Sequence, residues 1–376
     1  MDPVFFAVAL VVFITIILIY INPFVLIVLI AVVAGILIML QQVLHRTNNS
    51  YFSHPDPVHL IVLQHGWCAP WIRTTLTAKA LLSMAASKHA LDIERNKYLI
   101  HVIRSNSDDY IFGFLRTQDG IDRGGQRTCD EIKSVLDAHR SIQRISLIGA
   151  SLGGLYIRYA VKQLYDHQTH TFYGGVQPTN FITLCSPHLG ADDVVQRTQR
   201  RLYDAAGYLQ RSGLLPATLS QLLRLDGDRE HGLLHRMGTD EEYLQSLRAF
   251  RVRTVYSNTI NDHRVSFSSG MIWPSFGCRN EEEIIKTLFR RDIEIKEQQK
   301  LSVVEHVPRE LERKIKMEDG DGGMKDVCLS LGSSMEWNRF AVTNNSMFAH
   351  GVLSNPAGLI GDELAILDHL EKHIQW

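Results

Sequence analysis

The stretch Ile145-Ser146-Leu147-Ile148-Gly149-Ala150-Ser151-Leu152-Gly153-Gly154 decides how the rest of the chain is read. It opens with a short apolar-rich run of buried-strand character, and residues 155–165 follow with helical patterning. Between them lies Gly-x-Ser-x-Gly, which at a strand-to-helix turn forms a nucleophile elbow. So tight a turn forces its Ser into a strained backbone and admits only small flanking residues. Gly149 and Gly153 meet that need, and Gly154 lets the helix pack close to the strand. The Ser151 hydroxyl then points out of the sheet, at the positive end of a helix dipole. The five-residue pattern alone also fits a Gly-rich turn with a solvated Ser. The reading therefore needs an oxyanion hole upstream, then an acid and a His downstream.

Upstream, residues 58–63 read as a buried strand that runs into Gln64-His65-Gly66-Trp67. A strand ending in His-Gly before an elbow is where hydrolases place a second oxyanion donor, a backbone N–H. The expected donors are the N–H groups of Trp67 and Leu152. Helical stretches at 75–90 and 129–139 alternate with strands at 98–103 and 180–185. Such alternation predicts a mostly parallel sheet with helices on both faces. Residues 200–250 depart from it: Tyr208, Leu209, Leu214, Leu215, Leu219 and Leu222 lie in an apolar helical tract broken by Gly and Pro. That tract is expected to be a cap over the active-site end of the sheet, with an apolar underside.

Downstream, residues 251–257 read as a strand, and Asp262 on the loop after it is the expected triad acid. Residues 338–343 are the last strand, and His350 follows on a loop as the expected base. Residues 281–330 are charge-rich and read as an insertion, a solvated helix and a flexible loop without a catalytic role. His188 and Asp193 have His-x4-Asp spacing, but Pro187 and the preceding strand make this a loop coincidence, with His188 at most lining the site entrance. His369 and His373 belong to a closing helix.

The chain has 376 residues, 45% of them hydrophobic, with a net charge of −1, which suits one large or two small globular domains and gives no reason to expect nucleic acid. Its five cysteines are odd in number and never at CxxC spacing, which argues against a zinc site and a disulfide framework. No metal or nucleotide motif is present, so no cofactor is expected. Residues 4–40 are apolar and uncharged, in two runs separated by Asn22-Pro23. Each run is about long enough to cross a hydrocarbon core of roughly 30 Å, so residues 1–46 are expected to form a transmembrane hairpin, with one bent anchor as the alternative. Met1-Asp2-Pro3 lacks the basic start of a signal peptide. Arg46 points to a cytosolic domain beyond a polar linker at 47–57. The expected location is the endoplasmic reticulum or the lipid droplet.

Several stretches together resemble the eukaryotic serine esterase family of lipase-like α/β-hydrolases, long labelled a domain of unknown function. They are His65-Gly66, residues 117–125, 151–159, Ser186-Pro187-His188-Leu189-Gly190, 244–265 and 335–350. The resemblance runs from about residue 58 to the C-terminus. It implies an α/β-hydrolase fold over 58–376, a triad of Ser151, Asp262 and His350, and hydrolysis of acyl esters, chiefly of lipids. A membrane-anchored serine hydrolase working through an acyl-enzyme is the leading expectation. A thioesterase or acyltransferase using the same triad, and a non-catalytic membrane scaffold, are the alternatives.

Overall fold

The computed structural model describes residues 49–69, 71–88, 97–107, 115–227, 231–273, 281–289, 303–307, 322–343, 349–354, 356 and 364–375. The expected hairpin at 1–46 lies outside them. Among the described residues no helix is long and apolar enough to cross a membrane.

Strand periodicity builds the centre. The strands are β1 (Ser50–Phe52), β2 (His59–Gln64), β3 (Tyr98–Val102), β4 (Arg144–Ala150) and the small pair β5 (Tyr165–Asp166) and β6 (Thr171–Phe172). They continue with β7 (Gln177–Leu184), β8 (Val252–Asn258), β9 (Val303–His306) and β10 (Asn338–Thr343). In β2, Leu60 and Val62 enter one core while Ile61 and Leu63 enter the other, because successive side chains alternate across a sheet. Both faces are covered, so the strand is apolar on both sides. Eight strands form one sheet in the order β1-β3-β2-β4-β7-β8-β10-β9, with β5 and β6 pairing separately. The six inner strands run parallel, and β1 and β9 close the two edges antiparallel.

The helices are α1 (Trp71–Lys88), α2 (Ile121–Ala138), α3 (Leu152–Leu164), α4 (Asp192–Thr198), α5 (Arg200–Arg211), α6 (Ala217–Leu222) and α7 (Leu233–Thr239). They continue with α8 (Glu241–Arg248), α9 (Phe267–Met271), α10 (Glu281–Leu288), α11 (Gly322–Ser333), α12 (Ala349–Ser354) and α13 (Leu364–His373). One core face is covered by α2, α3, α8 and α11, through residues such as Ile132, Ile157, Leu247 and Val327. The other is covered by α1, α12 and α13, through Leu81, Leu353 and Leu367.

Several elements differ from the sequence expectation; His350, expected on a loop, lies in the first turn of α12. Ser50–Phe52, placed in a polar linker, instead adds β1 to β3. In the charge-rich stretch, β9 pairs with β10, and α11 buries Met324, Val327, Cys328 and Leu331. Those four stand at i, i+3, i+4 and i+7, an apolar stripe that the surrounding charge hides in the average. Finally, α8 packs on α3 and buries Leu244 and Leu247 in the main core, so the end of the 200–250 tract is a flanking layer and not a cap.

Register aligns the strand ends. Gln64 lies beside Gly149, Gly149 beside Thr183, and Leu184 beside Tyr256. The turns after β2, β4, β7 and β8 therefore emerge at one edge of the sheet. Asn180 in β7 also holds the far end of the chain, donating from Nδ2 to the Gln375 carbonyl and accepting from the Gln375 N–H.

Two histidines, His59 in β2 and His65 just after it, are buried and neutral. Burial, with Arg144 acting in the same sense, holds the His59 ring at about 3. Burial also holds His65 at about 4, although its contact with the Gly66 carbonyl and the charge of Glu131 oppose the shift. The unfolded chain protonates both below the ordinary His value of about 6.5, while the folded chain does not until far lower pH. Stability should be full above that value and fall as pH drops toward the folded values. By about pH 5 each ring should have cost about 2 kcal/mol. Urea unfolding midpoints measured from pH 7 to about pH 5 should decline steadily; a flat profile would contradict the burial of these rings.

Candidate active site

The turn between β4 and α3 has almost no space in it. A Cβ on Gly153 would lie 2.4 Å from the Gln64 carbonyl oxygen and 2.5 Å from that of His65. A Cβ on Gly149 would meet the Gly154 Cα at 2.6 Å. Backbone packs directly on backbone, and Ser151 takes φ 53°, ψ −126°, outside the regions that L-residues favour. Gly66 completes the contact: its absent Cβ would sit 2.7 Å from the Ser151 Cβ. The loop after β2 is thereby laid against the Ser. No described backbone carbonyl takes the N–H of Trp67 or of Leu152, the two expected oxyanion donors.

Ser151, Asp262 and His350, predicted from three separate stretches, come together. Ser151 Oγ lies 2.9 Å from His350 Nε2. The other ring nitrogen, Nδ1, lies 2.9 Å from Asp262 Oδ2 and 3.1 Å from Oδ1. The consistent tautomer has Nδ1–H donating to the carboxylate and Nε2 accepting from the Ser hydroxyl. Burial would raise the Asp262 carboxyl, but the His350 ring and hydrogen bonds from Asn258 and the Val265 N–H outweigh it and hold the group below its ordinary value. The Arg264 N–H also donates to Oδ1, at 3.0 Å. Asn261, with φ 60°, turns the chain so that the carboxylate faces back toward β8. Asn258 stands at the end of that strand and donates to Asp262 Oδ2 at 2.9 Å. Sequence reasoning gave it no role; an amide side chain four residues before the acid is the signal that was there.

Cys185 was also passed over. It follows directly on β7, has φ 42°, and its Sγ lies with the donor atoms of Asp262 and His350 in a group spanning 4.8 Å. Such a trio could in principle hold a metal ion. Burial, reinforced by the Asp262 charge, pushes the Cys185 thiol well up, so it stays protonated. Both His350 nitrogens are already engaged. These donors fit a hydrogen-bonded triad better than a metal centre.

His188 does not line the entrance. It is fully buried behind the elbow, with Nε2 2.9 Å from the Thr183 hydroxyl. Arg158 of α3, also fully buried, donates to the His188 carbonyl at 3.0 Å. Burial, with the Arg158 charge beside it, keeps the His188 ring neutral.

Helix α6 is fastened to the start of α2 and the segment before it by polar contacts. The Thr218 N–H donates to the Gln118 carbonyl at 3.1 Å, and its hydroxyl accepts from the Gly120 N–H at 3.0 Å. Gln221 accepts from the Ile121 N–H and donates to Asp122. Below them Leu152, Leu155, Ile121, Leu222, Leu233 and Leu234 form an apolar cluster with Trp67 packed against it.

The strand order, the elbow after β4, and the acid and His after β8 and β10 together make an α/β-hydrolase layout. A sequence profile described as Putative serine esterase (DUF676) matches residues 54–280. The chain belongs to that family. Among relatives, the chain is 35% identical over 153 residues to "Putative lipase ROG1" of Saccharomyces cerevisiae, covering 39% of this chain and 20% of that one. It is 31% identical over 240 residues to "Putative lipase YDL109C" of the same yeast, covering 61% and 34%. The matches thus span about a fifth and about a third of these relatives' length. Among solved structures, phospholipase PlaB from Legionella pneumophila aligns with a TM-score of 0.35 at 18% identity, over 54% of this chain and 38% of that one. Lipase BlEst2 from Bacillus licheniformis aligns with a TM-score of 0.34 at 17% identity, over 59% and 75%.

The packing at the elbow makes a sharp contrast between two glycines. Gly153→Ala drives a methyl into two main-chain carbonyls and should destabilise the fold by roughly 3 kcal/mol. Gly207→Ala in α5 meets only the Arg211 Nη1, at 3.8 Å, and should stabilise by up to about 1 kcal/mol. Thermal melts of the two variants check both signs.

Proposed function

We propose that the protein is a serine hydrolase that cleaves acyl esters of lipids through an acyl-enzyme. The observation that carries this reading is the 2.9 Å approach of Ser151 Oγ to a His350 ring whose far side rests on Asp262. In the proposed reaction His350 Nε2 takes the Ser151 proton as Oγ attacks the acyl carbonyl. Asp262 holds the ring in the accepting tautomer and stabilises the imidazolium that forms. The N–H groups of Trp67 and Leu152 receive the oxyanion. The same His returns the proton to the departing alcohol, and a water deprotonated by His350 then releases the acid from Ser151.

An apolar acyl group is favoured by the cluster of Leu152, Leu155, Ile121 and Leu222 beside the elbow. The family and the relatives' names point the same way. An N-terminal membrane hairpin at 1–46 would hold the site beside an insoluble substrate, with the catalytic unit in the cytosol at the endoplasmic reticulum or lipid droplet.

Fluorophosphonate labelling of the full chain in membranes tests the nucleophile. The intact chain should label, and Ser151→Ala should abolish the signal. Asp262→Asn should fold and lower ester turnover by about 10⁴-fold, because the ring then loses the partner that sets its tautomer. Labelling that survives in Ser151→Ala, or full turnover in Asp262→Asn, would refute the assignment.

A further inference from the structure

Helix α5 is built the wrong way round for a helix that belongs to a core. An ordinary surface helix turns its apolar stripe inward. Here the inward positions are Tyr203, Ala206, Gly207 and Gln210, while Leu202, Ala205, Tyr208 and Leu209 face out. Leu202 is 58% exposed and Tyr208 67%, and Leu214, in the turn that follows, is 71% exposed. Four of the large apolar side chains exposed among the described residues thus fall within one helix and its following turn. A contiguous patch of this kind marks a surface that meets something apolar.

Charge narrows what that is. Arg201 and Arg211 are exposed beside the stripe, and Arg200 is exposed although it pairs with Asp204 at 3.3 Å. Asp204 is the one acid in the helix, so α5 carries net positive charge. Apolar side chains in a stripe with arginines and a tyrosine at its margin match a layered partner, acyl chains below and anionic headgroups above. The mounting is firm. Arg224, partly buried, and Asp192, buried, form an ion pair at 2.5 Å that ties the end of α6 to the start of α4. Thr218 and Gln221 fasten α6 to α2 and the segment before it. The tract leaves the sheet after β7, at the edge where Ser151, Asp262 and His350 gather.

We infer that the outward face of α5, with Leu214, is a docking surface for an anionic lipid bilayer, which it enters to the depth of the upper acyl chains. Docking there would bring the catalytic edge of the sheet to the membrane independently of any N-terminal anchor.

The test uses the full chain with Cys68→Ser and Cys278→Ser, reconstituted in vesicles of phosphatidylcholine with phosphatidylserine. A nitrobenzoxadiazole label at Leu209→Cys should be quenched by doxyl-labelled lipid, and more weakly when phosphatidylserine is left out. The same label at the exposed Gln168→Cys should not be quenched. Equal quenching at both positions, none at 209, or label self-quenching that scales with protein-to-lipid ratio would overturn the inference, the last by showing a second copy on this face.

A second readout rests on the hydrolase reading. The variant Leu202→Asp/Leu209→Asp/Leu214→Asp should lose roughly tenfold or more of its turnover on a vesicle-borne lipid ester. Its fluorophosphonate labelling and its turnover of a soluble short-chain ester should be unchanged. Equal loss on both substrates would count against docking. An intact chain inert toward both substrates would count against the hydrolase reading, with the quenching still deciding docking.

Discussion

Where α3 leaves the sheet, main chain meets main chain with no side chain between them. The carbonyls of Gln64 and His65 occupy the space a Cβ on Gly153 would need, and the Gly154 backbone occupies that of Gly149. This contact sets the distance between β2, β4 and α3. It holds Ser151 at positive φ and lays the Gly66 loop across it. Strain of one to three kcal/mol, on the order typical of such residues, persists because three elements converge on the turn. The elbow is therefore a product of sheet register as much as of local sequence: shift β2 by one residue and the carbonyls no longer face the glycines.

The acid is arranged by a different logic. Asp262 is a buried carboxylate, and a buried charge needs partners. It has four: the His350 ring, the Asn258 amide and the N–H groups of Arg264 and Val265. These donors stabilise the ionised form, so the carboxylate can orient the ring without itself taking the proton. Cys185 sits against the same pair as a neutral thiol, filling space without competing for charge.

Much of this was legible in the sequence, for identifiable reasons. Val58–Leu63, Ser146–Ile148 and the last strand carry apolar runs that only a two-sided sheet would bury, and Gly-x-Ser-x-Gly has few alternatives between a strand and a helix. Ser151, Asp262 and His350 could be named because each follows a strand end. What escaped depends on distance in the chain or on averaging. Three residues, Ser50–Phe52, are too few to show a period. The stripe Met324, Val327, Leu331 is masked by charged neighbours. His188 looks like a surface loop residue until Arg158, thirty positions away in sequence, is seen to cover it. The orientation of α5 was hidden for a related reason: an amphipathic pattern shows that a helix has two faces and not which of them meets the protein.

The chain separation of the triad also bears on biosynthesis. His350 lies 199 positions after Ser151 and 88 after Asp262, and Asn180 is bonded to Gln375. During translation the elbow emerges with its strands long before His350 does. Under the proposed mechanism a nascent polypeptide would pass much of its synthesis without its general base, which would reach Ser151 only when the last strand and the helix after it have joined the sheet.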